Sequence, residues 1–180
     1  MKLRFPIAML CALAALAPAA SRAASTEEIN ARVHESLDQL YKESPAAKDL
    51  AAKARGTLVF PKVIKGGVGV GGGYGEGALM VGGRPSAYYN VASASVGFQL
   101  GVQEESVVLM FMDESALKRF EDSHGWKAGV DGSVAVAKFG AGESIDTETA
   151  QKPIVGWVFG NKGLMYDLSL EGAKITRLNK

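Results

Sequence analysis

Apolar residues recur at helical spacing near the start of the chain, where Ile29, Val33, Leu37, Leu40 and Tyr41 share one face. Thr26 precedes them as an N-cap, with Glu27 and Glu28 in the first turn, so the pattern predicts an amphipathic helix over residues 26–43. Pro45 starts a second short helix over 46–54, with a small-residue face of Ala47, Ala51 and Ala54 and with Gly56 as its stop. From Leu58 onwards the period falls from 3.6 to 2. Ala92, Ala94, Val96, Phe98, Leu100 and Val102 point one way, while Ser93, Ser95, Gly97, Gln99, Gly101 and Gln103 point the other. That alternation predicts a half-buried antiparallel strand with a small, polar second face. Residues 107–112 form a continuous apolar run, read as a separate central strand. Asp113 caps a short helix through Ser123, with Leu117 and Phe120 inward and Gly125 as its stop. Further strands are expected at 133–139, 154–159, 164–170 and 174–178, with a turn at Asn161-Lys162-Gly163. The fold class that follows is α+β: two N-terminal helices, then a curved, mainly antiparallel β-sheet or partial barrel with one inserted short helix.

The glycines sharpen this picture. Eight of the twelve residues from 66 to 77 are glycine, yet the segment is not a linker. Gly67, Gly69, Gly71, Gly73, Gly75 and Gly77 take alternate positions, with Val68, Val70 and Tyr74 between them. In a strand they form one bare face, which allows close backbone approach, sharp curvature, or large side chains packed on the main chain. A flexible linker carries no such alternation. Whether that face is buried by side chains or open to a partner is left to the structure.

Composition then narrows the class. Apolar residues make up 47% of the 180 and charged residues 22%, enough for a true core and too few charges for a disordered chain. The first 23 residues read as a secretory signal, with Lys2 and Arg4 ahead of an apolar run and cleavage after Ser21-Arg22-Ala23. The uncharged run over 5–20 is short of a span and holds two prolines. Cys11 lies mid-run behind Met9 and Leu10, which argues against lipidation there. The expected domain is therefore 24–180, helical over 26–55 and β-rich over 57–178, and its expected place is the periplasm or outside the cell, peripheral to a membrane. Removing Lys2, Arg4 and Arg22 leaves 17 basic residues against 19 acidic ones and no cysteine, so no thiol chemistry is expected.

The chemical motifs fail one by one. Gly67-Val68-Gly69-Val70-Gly71-Gly72 fits the dinucleotide fingerprint, but the strand period runs on to Val81 where a helix should begin, so no nucleotide is expected. His34-Glu35-Ser36-Leu37-Asp38 approaches a zinc-protease helix with Asp38 in place of the second histidine, which is too few ligands for a metal. His124 suits a helix C-terminus. Glu143, Asp146 and Glu148 lack the spacing of a calcium loop, and no serine sits in a nucleophile elbow. No enzyme, cofactor or metal is expected, and the charge balance argues against nucleic acid. What stands out is local charge, since Lys48, Lys53, Arg55, Lys62 and Lys65 face only Asp49 within 48–65. Such a run suits anionic headgroups, although the first helix has an acidic polar face.

Lys65-Gly66-Gly67 with Gly72, Gly75 and Gly77 resembles the glycine signature of the SYLF lipid-binding domain family. The likeness continues through Ser95-Val96-Gly97-Phe98-Gln99-Leu100-Gly101 and Asp131-Gly132-Ser133-Val134-Ala135. It ends with Asn161-Lys162-Gly163-Leu164 and Ser169-Leu170-Glu171-Gly172. Eukaryotic members are associated with phosphoinositides and other acidic lipids, and some with actin bundling. The resemblance implies a non-enzymatic, exported lipid-binding module of a bacterial branch. It aligns Arg55 and Lys65 with basic positions of the family, whereas Gly73 stands where relatives often carry a basic residue. The expected site is Lys48, Lys53, Arg55, Lys62 and Lys65 for anionic phospholipid headgroups, with the alternate glycines for close approach. The alternative is a protein-interaction or envelope-assembly module that docks a protein partner on its small-residue faces.

Overall fold

The computed structural model describes residues 24–137, 147–160, 163–164 and 172–180. The leader, Cys11, Glu143, Asp146, Asn161, Lys162 and most of the strand expected at 164–170 lie outside the described residues. The order is α1 (Thr26–Glu43), α2 (Pro45–Ala51), β1 (Gly56–Val81), β2 (Arg84–Phe111), α3 (Glu114–Glu121), β3 (Trp126–Lys127) and β4 (Ala135–Val136). A single helical turn, α4 (Thr147–Ala150), follows, then β5 (Ile154–Gly160), β6 (Gly163–Leu164) and β7 (Lys174–Leu178). The strands form one curled sheet, antiparallel except where β4 runs parallel to β5. This is the expected α+β class.

The helices begin where polar side chains meet free backbone donors. Ser25 caps α1 by accepting from the Glu28 amide at 3.2 Å. The expected cap, Thr26, instead donates its hydroxyl to Glu27 at 3.3 Å. Ser44 closes one helix and opens the next: its amide donates to Leu40 at 2.7 Å and its hydroxyl accepts from Ala47 at 3.1 Å. The second helix ends at Ala51 rather than 54, because the Arg55 amide already donates to the Phe111 carbonyl at 2.8 Å and draws the chain into the sheet. Asp113 caps α3 as expected, accepting from the Ala116 amide at 2.7 Å. Its hydrogen bonds from Ser115 and Ala116 hold its carboxyl below the ordinary range.

One very long hairpin dominates the molecule. β1 and β2 pair antiparallel from Gly56↔Phe111 to Val81↔Arg84, closed by Gly82 (φ 58°) and Gly83 (φ 77°). Both turn residues need positive φ, which glycine adopts without strain. The two strands expected at 92–103 and 107–112 are thus parts of one strand. The polar Glu104-Glu105-Ser106 between them looks like a boundary, but Lys62 and Lys65 on β1 supply the opposite charges.

The hairpin folds back on itself at its middle, and the glycines make this fold. A Cβ on Gly75 would lie 2.6 Å from the Lys62 carbonyl oxygen and 2.9 Å from Val63. One on Gly77 would run into the Val59 carbonyl oxygen, and one on Gly73 would stand 3.0 Å from Lys65 Cγ. The second half of β1 therefore lies against its own first half, backbone on backbone. A register shift between Gly67 and Gly69, where β2 has two extra residues, marks the bend. The register also pairs small residues with small ones there: Gly67 with Gly101, Gly69 with Gly97 and Gly73 with Ser93. This reverses the expected orientation of the stretch at 92–94, while at its other end Val102 and Gln103 are both exposed. Ala92, Ala94 and Val102 are exposed, Val91 is buried, and Ser93 sits half-buried beside Gly73. At Gly73 the concave side has room only for small groups, since a Cβ there would stand 2.6 Å from Ser93 Oγ.

Two cores result. Inside the curl, Leu58, Phe60, Val63, Leu79, Tyr89, Val107, Leu109 and Phe111 pack with α3 and Trp126. Phe120 anchors this set, with ring centroids 4.9 Å from both Tyr89 and Phe111. On the outer face, Ile29, Val33, Leu40, Ala47 and Leu50 of the helices cover Val59, Val108, Met110, Val155, Trp157 and Phe159. A bulge at Pro61-Lys62 keeps Phe60 and Val63 on the same inner face. β7 pairs with the first half of β2 and β5 with the second, widening each layer.

Candidate functional site

The five expected cations fall into two groups. Lys48 and Lys53 project from α2 and its trailing turn, and Arg55 from the link into β1; all three are exposed and have no carboxylate partner among the described residues. Lys62 and Lys65 lie farther along β1, at about 3.3 Å per residue roughly 20 Å or more from Arg55. Both are occupied. Lys62 Nζ meets Glu104 at 2.7 Å, with each side chain partly exposed.

Lys65 is more deeply committed. Its stem lies over the bare backbone of Gly73, and its Nζ stands 2.6 Å from Glu105 Oε1. The Glu105 side chain is wholly buried and that of Lys65 only 16% exposed. Burial pushes the Glu105 carboxyl up, and the hydrogen bond and charge of Lys65 oppose that rise. Its second oxygen has no partner among the described residues. This lysine stabilises the bend from within, so the glycine strand serves it as a channel for an aliphatic stem.

Gly73 is half-buried, and Gly75 and Gly77 are buried by the chain's own backbone. Gly67, Gly69 and Gly71 continue the same strand toward the bend. The close approach foreseen for the glycines is therefore intramolecular at Gly75 and Gly77.

Two cavities flank α1. A polar one of about 280 Å³ lies between α1 and the sheet, lined by Arg32, Glu35, Gln39, Lys62, Glu104 and Ser106 among others. Its charges are mixed, and Arg32 and Lys62 are both paired with glutamates. The other, about 470 Å³, lies between the second half of α1, the α2–β1 link and the Gly82-Gly83 turn. His34, Leu37, Tyr41, Arg55 and Met80 line it, and no carboxylate among the described residues does. Sequence reading missed this cleft because its walls come from three separated segments, none of them a motif. His34 and Arg55 were both visible, but nothing in their spacing says that they share a cavity. Among the described residues no cluster of His, Cys, Asp or Glu could hold a metal ion. No described helix is long and apolar enough to cross a membrane.

The comparison that bears on this arrangement is with protein families. The family model described as "Ysc84: Las17-binding protein actin regulator" matches residues 92–180. Over those residues the chain is similar to a Ysc84 domain. Ysc84 and SYLF denote the same domain, so the match meets the resemblance in the motifs from Ser95 to Gly172, while Arg55 and the glycine signature over 65–77 precede the matched residues. The Ysc84 match begins at Ala92, inside β2, whereas the structural unit includes β1 and the rest of β2. A comparison with curated proteins gives no match.

Proposed function

We propose that this Ysc84-like domain is a non-enzymatic, exported module that binds anionic phospholipid surfaces through Lys48, Lys53 and Arg55. The observation that carries the reading is the division among the cations. Lys62 and Lys65 are neutralised within the fold, while these three stand exposed over eight residues of chain with no carboxylate partner among the described residues. Each unpaired cation close to an anionic membrane contributes about 1 kcal/mol. The family supports binding rather than catalysis, as a family of lipid and actin-regulator binding. Export rests on the leader sequence alone, and the lipid class on the resemblance and on charge.

Co-sedimentation with vesicles is the test. Vesicles containing phosphatidylglycerol should retain the protein, neutral vesicles should not, and retention should fall as salt screens the charges. The triple change Lys48→Glu, Lys53→Glu, Arg55→Glu should abolish retention with an unchanged far-UV spectrum. The control Lys62→Gln should retain it. Binding that ignores both salt and the triple change would overturn the reading.

A second reading is a protein-interaction module of envelope assembly. It is favoured by Ile64, Tyr74 and Val102, which are 45%, 49% and 78% exposed on the hairpin near its bend. The family description, which names a Las17-binding protein, points the same way. This reading expects indifference to lipid and self-association or a co-purifying protein.

A further inference from the structure

We infer that the cleft between α1, the α2–β1 link and the Gly82-Gly83 turn takes a single-chain anionic amphiphile, its phosphate on Arg55 and its alkyl chain along Leu37, Tyr41 and Met80. The inference rests on the lipid reading above and gives it a defined seat. Three observations converge on it. The cleft, at about 470 Å³, is within the roughly 300–1,000 Å³ range of small-molecule sites. Its cationic group, Arg55, has no carboxylate partner among the described residues, and His34 on α1 adds a ring N–H donor to the lining. Leu37 and Tyr41 are half-buried extensions of the outer core, and burial together with Asp38 raises the Tyr41 hydroxyl above its ordinary value.

The polar cavity on the other side of α1 makes a useful contrast. There, three glutamates meet two cations already paired, so an anion entering it would displace ion pairs. In the cleft an anion finds an unpaired guanidinium, whose fork matches a phosphate. The alkyl chain gains from leaving water beside leucine, tyrosine, methionine and alanine. At the turn, a Cβ on Gly82 or Gly83 would meet nothing within 4 Å.

The experiment is isothermal titration of the protein with lysophosphatidylglycerol below its critical micelle concentration. Glycerol phosphate, which lacks the chain, and lysophosphatidylcholine, which lacks the net charge, serve as the two comparison ligands. Saturable binding of the first, with both comparison ligands at least about tenfold weaker, is expected. Arg55→Gln should weaken it by about tenfold or more, as loss of a charged hydrogen bond does. Leu37→Gln should weaken it while leaving glycerol phosphate unaffected, and thermal melting establishes that each variant folds. Glycerol phosphate binding as tightly as the lysolipid would overturn the inference, as would no binding of the lysolipid monomer. Vesicle retention by the same preparation tells the two proposals apart: retained with no monomer binding, only the cleft assignment fails; lost as well, the lipid reading fails.

Discussion

At the scale of single residues, identical glycines do different work. Gly82 and Gly83 are needed for their positive φ and have open space around them. Gly77 is needed because the Val59 carbonyl occupies the place of its side chain. The obstacle is backbone held in a sheet, so a methyl group there cannot be relieved by a rotamer change. Gly77→Ala should therefore cost about 3 kcal/mol or more, against about 0.5 kcal/mol or less for Gly72→Ala. Gly72 is exposed and its nearest obstacle, the Ser93 carbonyl, lies at an ordinary 3.5 Å. Urea denaturation of the two variants side by side measures the difference, and equal stabilities would contradict the backbone contact. Alternation in the sequence marks all six glycines as one face. It does not separate those that touch backbone from those that merely continue the strand, because that depends on where the hairpin folds.

At the scale of elements, β2 runs through a polar stretch because β1 brings it counter-charges. Breaking the Lys65–Glu105 pair should be costly: Lys65→Met leaves a buried carboxylate alone, at about 3–5 kcal/mol. Exchanging both partners for apolar residues, Lys65→Met with Glu105→Leu, should restore most of that stability, as measured by urea denaturation at pH 7. The pH dependence follows from the direction of the Glu105 shift. Its folded carboxyl titrates above the ordinary 4.5, so between those values the folded state holds more protons than the unfolded one. Stability from this group falls as pH rises through that window. Glu105→Gln should remove that fall, and an unchanged pH profile would count against the buried pair. In the sequence the polar Glu104-Glu105-Ser106 stands between the period-2 stretch of 92–103 and the apolar run of 107–112. Only the partner strand joins the two.

At the scale of the whole molecule, the family match and the folding unit do not coincide. Residues 92–180 begin within β2 and leave out β1, both N-terminal helices and the Gly82-Gly83 turn. Without them Val108, Met110, Val155, Trp157 and Phe159 lose the helices that cover them, and β2 loses its longest partner. Expressed alone, residues 92–180 should remain unfolded or aggregate, while 24–180 should give a cooperative thermal transition. A cooperative transition in the shorter piece would show that the outer helices are dispensable. The sequence by itself determined the helix faces, the period-2 stretch and the α+β class, because these depend on side-chain spacing within single segments, and its motifs carried the family resemblance. It also marked the cations of 48–65. Tertiary structure alone decided which of them remain free, since Glu104 and Glu105 reach Lys62 and Lys65 only through the pairing of two long strands. It decided the cleft as well, whose walls meet because the fold of the hairpin brings the Gly82-Gly83 turn against α1 and Arg55.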